Sequence, residues 1–308
     1  MKRTVAGLVT VLVAALGLTA CGGGGSGSDP LAGGNSGSQS PSDTITIGSA
    51  NFAESQLLAE IYAAALTKAG VKVSKKLNIG SRETYIPALK DGSIDLIPEY
   101  SGTLLQYFDK SATATSADDV YAALPKALPS GLSVLDKSAA EDKDAVVVTK
   151  ETADKYNAKS IADLAPHCGD LVLGAAPEFQ KRPDGVPGLL KNYNCTFKDF
   201  KSLDAGSTLT VAALKQGSIQ AADMFTTDPT ITNNGWVVLA DPKFNFAAQN
   251  VLPLINTSKA SDTVKKTLNA ISAKLDTKTL VDLNGKLGAP DKPDPAKVAA
   301  DWLASAGL

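Results

Sequence analysis

The sequence predicts an α/β protein built as two similar lobes, and three observations predict it. About 265 residues follow a Gly/Ser-rich stretch near the N-terminus, enough for two ordinary domains or one large one. Along them short apolar runs alternate with amphipathic helices, the rhythm of a parallel sheet covered by helices. One phrase of the chain also occurs twice, at residues 88 and 213.

The first segment stands apart from that rhythm. Lys2 and Arg3 open a stretch, Thr4 to Ala20, that carries no charge. It fits a secretory signal better than a membrane span. Leu18-Thr19-Ala20-Cys21 resembles the lipobox of bacterial lipoproteins. That resemblance implies a signal peptide over residues 1–20 and a diacylglyceryl group on Cys21. It also implies attachment to the outer face of a cell membrane through acyl chains, each CH₂ contributing ~0.8 kcal/mol. The alternative is an ordinary signal followed by an accidental cysteine. Gly and Ser dominate residues 21–43, with no apolar period to bury, so this segment reads as a disordered tether spanning roughly 25 Å.

From Thr44 the elements follow in order. Thr44-Ile45-Thr46-Ile47-Gly48 reads as a strand, Glu54 to Ala69 as a helix closed by Gly70, and Val71 to Ile79 as a second strand. Arg82 to Lys90 reads as a helix stopped at Gly92, and Ile94-Asp95-Leu96-Ile97 as a third strand. The rhythm resumes with a strand at Asp144 to Thr149, helices from Glu151 and Ser160, and a strand at Leu171-Val172-Leu173. Residues 258–308 read as helical, with caps at Ser258, Asp276 and Asp294 and Pro295 at a helix start. Trp236 and Trp302 fall on apolar patterns and read as core.

The repeated phrase is the best clue to function. Ala88-Leu89-Lys90-Asp91-Gly92-Ser93-Ile94-Asp95 returns as Ala213-Leu214-Lys215-Gln216-Gly217-Ser218-Ile219-Gln220. Continued in the same register, Tyr100 falls opposite Phe225 and Ser101 opposite Thr226. Each copy reads as helix end, glycine turn, strand, then an aromatic and a hydroxyl at the strand's C-terminal end, where open α/β sheets bind ligands. Two such lobes would each offer a ring to a shared cleft. The competing reading is that Ala-Leu-Lys-x-Gly is a common way to stop a helix.

Composition narrows the function classes. The chain is 44% hydrophobic and 20% charged with a formal net charge of −2, without the basic footprint that nucleic acid needs. The acidic residues show no metal-ligand spacing, and neither a Gly-x-Ser-x-Gly motif nor a phosphate loop occurs. No cofactor or metal is expected. Apart from Cys21, the cysteines are Cys168 and Cys195, an even pair for which a disulfide is the default in an exported chain. The rival reading makes His167-Cys168 a catalytic pair.

Asn51-Phe52-Ala53-Glu54, the helix-turn-strand from Ile86 to Ile97, and Glu99-Tyr100-Ser101-Gly102-Thr103 resemble the solute-binding proteins of osmoprotectant ABC importers. Arg182-Pro183-Asp184-Gly185 is similar to that family's Arg-Glu/Asp-Gly loop, and Phe225-Thr226-Thr227-Asp228 to its Tyr-Ser-Thr-Asp segment. The resemblance covers Thr44 to Leu308. It implies a two-lobed clamshell of the periplasmic-binding-protein type II, each lobe a mixed, mostly parallel sheet flanked by helices. Residues 44–143 with 248–308 would form lobe 1, and residues 144–247 lobe 2.

The same resemblance implies a monomer that captures a quaternary ammonium or related small solute and passes it to an ABC permease. Aromatic rings hold the cation, each contributing ~0.5–2 kcal/mol once desolvated. An arginine takes the solute's carboxylate in a charge-assisted pair. Tyr100 matches one cage ring and Phe225 a second. Ala145 and Gln249 fall at the other two, so half the cage is missing and Gln249→Tyr is expected to restore a ring. Arg182 matches the carboxylate-binding arginine. Further ligand-binding candidates are Asn51, Glu54, Ser81, Arg82, Glu83, Ser101, Thr103, Asp144, Thr226 and Asp228. Glu54 reads as a helix cap or a cleft residue, Glu99 as an orienting or a rim carboxylate, and Tyr85 as a packed helix residue beside the Ser81-Arg82-Glu83 turn. An incomplete cage leaves open a larger, more polar or aromatic ligand. A solute sensor of the same fold is a further alternative, and an extracellular enzyme a third.

Overall fold

The computed structural model describes residues 43–308. The expected signal peptide, the tether and Cys21 lie outside the described residues, except that the tether's last residue, Asp43, is described. Among the described residues ten strands run in chain order: β1 Thr44–Gly48, β2 Lys72–Lys76, β3 Leu96–Tyr100, β4 Leu132–Val134, β5 Asp144–Val148, β6 Val172–Ala175, β7 Asp199–Ser202, β8 Ala221–Phe225, β9 Val237–Val238 and β10 Val251–Asn256. They form two five-stranded sheets, ordered β2-β1-β3-β10-β4 and β7-β6-β8-β5-β9. In each sheet one strand runs against the rest, β10 in the first and β5 in the second.

Position by position the two orders correspond, and the repeated phrase is the reason. In the first sheet Asp95 Oδ2 accepts the backbone N–H of Thr46, 2.9 Å away. In the second, Gln220 Oε1 accepts that of Val172 at 3.0 Å. A Cβ added to Gly48 would stand 2.6 Å from Ile94 Cδ1, and one on Gly174 2.5 Å from Ile219 Cδ1. Glycine in β1 and in β6 thus admits the isoleucine of each repeat, and the phrase sets the same strand junction twice.

Each sheet is packed on both faces. In the first lobe the helix Ala53–Lys68 lies between β1 and the helices Asp262–Ser272 and Pro295–Ala306, burying Leu57, Leu58, Ile61, Tyr62 and Leu66 against Leu268, Ile271 and Trp302. The opposite face holds Ile86, Leu89, Ile94 and Ile97 against Leu104, Val120 and Leu124. In the second lobe Val146, Val148, Leu173 and Phe179 share one core, and Ala145, Val147, Leu214, Ile219 and Met224 the other, with Trp236 packed partly buried at its edge. Cys168 and Cys195 are joined by a disulfide that ties the 3-10 turn Ala165–Asp170 to the loop after the helix Val186–Tyr193.

Several element ends differ from the sequence reading. The third strand begins at Leu96, because Ile94 packs over Gly48 and Asp95 bends to bond β1. The second strand stops at Lys76. The C-terminal helical region takes its first α-helical cap from Ser261, whose Oγ accepts from Val264 N, while Ser258 sits in the short 3-10 turn Thr257–Lys259. Asp276 and Asp294 do cap helices, with Pro295 at the first helical position.

Two chain segments link the sheets. One runs through Glu141 and Asp142 into β5, and the other through Gln249 and Asn250 into β10. They lie side by side, with Glu141 and Asn250 bridged antiparallel and Asp142 N donating to Gln249 O at 3.1 Å.

Candidate functional site

The cleft between the sheets lies at the C-terminal ends of β3 and β8, as the rule for open α/β sheets requires. Tyr100 ends β3 and Phe225 ends β8, and both line it. A third ring joins them. Phe52, on the turn between β1 and the helix Ala53–Lys68, sits 5.0 Å from Phe225 and 5.9 Å from Tyr100, centroid to centroid. Rings from both lobes thereby form one aromatic wall. Its lining mixes these rings with a few polar and charged groups from both lobes, the make-up of a small-molecule site.

The tyrosines are held from behind. Tyr100 OH donates to Glu54 Oε1 at 2.7 Å, and Glu54 Oε2 accepts from Thr227 Oγ1 at 2.7 Å and from Asn284 Nδ2. Glu54 is therefore a buried joint between the lobes, and it caps nothing: the N-cap position is Phe52, which makes no side-chain bond there. Burial pushes the Glu54 carboxyl up, against the lowering pull of those bonds. Tyr85 lines the cleft too, its hydroxyl donating to Glu99 Oε1 at 2.7 Å. Glu99, wholly buried, also receives Arg82 Nε and Nη2 at 2.9 and 2.7 Å and the N–H of Tyr100 at 2.9 Å. It orients Arg82 and Tyr85 rather than facing the rim.

Arg182 reaches the cleft from the loop ahead of the helix Val186–Tyr193. Its Nε and Nη2 meet the Glu83 carboxylate across the cleft at 3.3 and 3.2 Å, and Nη2 lies 3.8 Å from Glu178. Burial works to raise the Glu83 carboxyl, yet the Arg182 guanidinium and the Ser81 hydroxyl hold it at about 2. Asn51, Ser81, Thr103 and Gln249 complete the first-lobe side. Gln249 Oε1 accepts from Thr103 N at 3.0 Å, and its Nε2 donates to Thr103 Oγ1.

Asp144 and Asp223 stand opposite. Strand alternation puts Asp223 and Phe225 on one face of β8, and β5 pairs so that Asp144 faces Phe225 and Val146 faces Asp223. Burial raises the Asp223 carboxyl, and the neighbouring Asp144 and Asp184 carboxylates raise it further. Asp144 is also raised by burial, despite Arg182 and Arg82, and burial beside Asp144 lifts Asp184 to about 6.

Some residues expected at the site do other work. Ala145 packs in the second-lobe core with Val147 and Met224, because its strand neighbour Asp144 takes the cleft face. Ser101 Oγ donates to Ala248 O and accepts from Asn250 N, both at 3.0 Å, fastening the return segment. Thr226 is exposed and accepts from Lys143 N. Asp228 caps the helix Pro229–Asn233. Gln249 holds the start of the helix Ser101–Phe108, so Gln249→Tyr removes that anchor before it supplies a ring. His167 stacks on Tyr156 at 4.4 Å beside the disulfide, so its cysteine neighbour is no free thiol.

Sequence reasoning missed Phe52, Asp142, Glu178 and Asp223 as lining residues. Two signals were present. Phe52 follows the C-terminal end of β1, and Asp223 lies two residues before Phe225 on a strand and so shares its face.

Two sheet-and-helix lobes, linked by paired segments and facing each other across a cleft of rings and charged groups, define a solute-binding protein of the two-lobed class. Residues 43–305 match the family model for the substrate-binding domain of the ABC-type glycine betaine transport system, and the chain belongs to that family. It is 27% identical over 277 residues to the glycine betaine-binding protein YehZ of Escherichia coli, covering 85% of this chain and 90% of that one. It is 29% identical over 261 residues to the ergothioneine transport permease/ergothioneine binding protein EgtU of Helicobacter pylori, covering 83% of this chain but 46% of that one. A solved glycine betaine/carnitine/choline ABC transporter structure superposes with a TM-score of 0.67 at 26% identity, over 85% of this chain and 98% of that one.

Proposed function

We propose that this chain captures a small dipolar or quaternary ammonium solute between its lobes and delivers it to the permease of an ABC importer, as a binding protein rather than an enzyme. The observation that carries this reading is the aromatic wall. Phe52 lies within 6 Å of Tyr100 in its own lobe and of Phe225 in the other, in a cleft that also holds Arg182. Rings so placed attract a cation without a buried counter-ion, and Arg182 offers a carboxylate a charge-assisted partner in exchange for Glu83. In this reading Tyr100, Phe225, Arg182, Asn51, Ser81, Arg82, Thr103, Gln249 and Asp144 contact the solute, while Glu54, Glu83, Ser101, Thr226 and Asp228 shape the closed state.

The lobes would comprise residues 44–143 with 248–308, and 144–247, working as a monomer tethered to the outer membrane face through Cys21. Loss of labelled-lipid incorporation in Cys21→Ala checks that anchor. Persistence of the label would refute it.

A second reading, an importer protein for a larger polar or aromatic ligand, is favoured by the amide of Gln249 in the cleft wall and by the ergothioneine-binding relative. Calorimetry with glycine betaine, carnitine, choline and ergothioneine tests both. Saturable binding by any of them, abolished in Tyr100→Ala, supports solute capture in this cleft. Tight binding of ergothioneine alone selects the second reading, and heat from none of them removes both.

A further inference from the structure

The second-lobe wall beside Phe225 carries a feature that an alkylated cation leaves unused. Asp223 is 6% exposed, lines the cleft, and its Oδ1 has no hydrogen-bond partner among the described residues. Buried acceptors are nearly always paired, and an unpaired one that faces a ligand cleft is waiting for a donor. Asp184 Oδ1, 3% exposed as a residue, is likewise without a partner just behind it. Strand register brings Asp144 to the same wall from β5.

The charged groups facing this wall come from every element around it. They are Asp223 on β8, Asp144 on β5, Asp142 on the segment before β5, Asp184 and Arg182 on the loop before the helix Val186–Tyr193, Glu178 on the 3-10 turn Pro177–Gln180, and Arg82 from the first lobe. Both arginines are already engaged, Arg82 with Glu99 and Arg182 with Glu83 and Glu178. Acceptors therefore outnumber donors. No group of three His, Cys, Asp or Glu among the described residues is placed to hold a metal ion. A donor carried in by the solute would satisfy the wall.

We propose that Asp223, with Asp144 beside it, forms a subsite for an N–H-bearing cation, so that the solute preferred by this cleft is a dipolar ion whose cationic nitrogen keeps at least one proton. This rests on the reading of the cleft as a solute site. A quaternary ammonium brings charge but no hydrogen-bond donor, and it leaves Asp223 Oδ1 unpaired. A protonated amine brings both, while its remaining alkyl groups still meet Phe52, Tyr100 and Phe225.

The test uses the methylation series glycine betaine, N,N-dimethylglycine and sarcosine, which keeps the carboxylate and exchanges methyl for N–H one step at a time. Titration calorimetry at pH 7 on the wild-type chain is expected to show dimethylglycine binding about 10- to 100-fold tighter than glycine betaine, the factor one charge-assisted hydrogen bond supplies. Asp223→Asn is expected to erase most of that ratio while still binding glycine betaine, which shows that the variant is folded. Asp144→Asn, expected to reduce the ratio less, serves where Asp223→Asn does not fold. Wild-type protein that binds glycine betaine as tightly as dimethylglycine overturns the subsite and leaves the solute-site reading standing. So does a ratio unchanged in both variants. If no member of the series binds, the subsite is overturned as stated, and the solute-site reading is decided by the larger probes described above.

Discussion

Phe52 bridges the rings of the two lobes, and most of the cleft's aromatic surface depends on its position. Its centroid stands 5–6 Å from those of Tyr100 and Phe225, which it contacts at tilts of 36° and 39°. Phe52 is partly buried and packs against both cores of the first lobe, so its removal also lowers stability somewhat. Phe52→Ala should weaken cation binding by about 0.5–2 kcal/mol, roughly 2- to 30-fold, in protein that still melts cooperatively. Affinity left intact in that variant would move the cation away from the wall. At this scale the sequence was legible where a repeat or motif marked the residue, as with Tyr100, Phe225 and Arg182. It was silent where a side chain's facing depends on register across a sheet: Asp144 and Ala145 differ by one residue and lie on opposite faces.

The strands and helices were the more readable layer. Glycine stops, Ser and Asp caps and apolar periods placed β1, the helix Arg82–Lys90 and the helix Pro295–Ala306 to within a residue or two. Ends set by tertiary contact were not readable, and β3 begins two residues late because Ile94 and Asp95 serve β1. The disulfide belongs to this scale. It joins cysteines 27 residues apart in sequence, both wholly within the second lobe and buried. Closing a loop of that length contributes roughly 3–4 kcal/mol by constraining the unfolded chain. Replacing both cysteines by Ala should lower the denaturant midpoint accordingly. Solute affinity should hold, since neither residue approaches the cleft. A variant as stable as wild type would show that the unfolded chain gains nothing from the bond.

Across the whole molecule, the cleft gathers carboxyls. Glu54, Asp142, Asp144, Asp184 and Asp223 are all raised, burial being the first cause in each case. A carboxyl whose pKa is higher in the folded than in the unfolded chain contributes stability below its unfolded value and loses it as pH rises through the folded value. For Asp184 that window runs from about 3.8 to about 6. Glu83 acts oppositely, giving up its contribution only as pH falls from about 4.5 toward about 2. The solute-free protein should thus melt at a higher temperature near pH 5 than near pH 8, and Asp223→Asn should flatten the difference. A melting temperature that rises from pH 5 to pH 8 would contradict this. Two-lobed architecture itself was legible from one repeated phrase, because that phrase builds the same strand junction in each sheet.

The interleaving of the sheets also orders the birth of the molecule. All five strands of the second sheet, β5 to β9, come from one unbroken stretch of chain, so every strand it needs is present by residue 238. The first sheet must wait. Its strand β10, which lies between β3 and β4, and the helix Pro295–Ala306 that covers Ala53–Lys68 are made last. Until they arrive, β3 presents an open edge through Ile97 and Tyr100, the kind of edge on which chains aggregate. A chain that ends before residue 251 would therefore hold every strand of the second sheet and still leave β3 of the first without its neighbour.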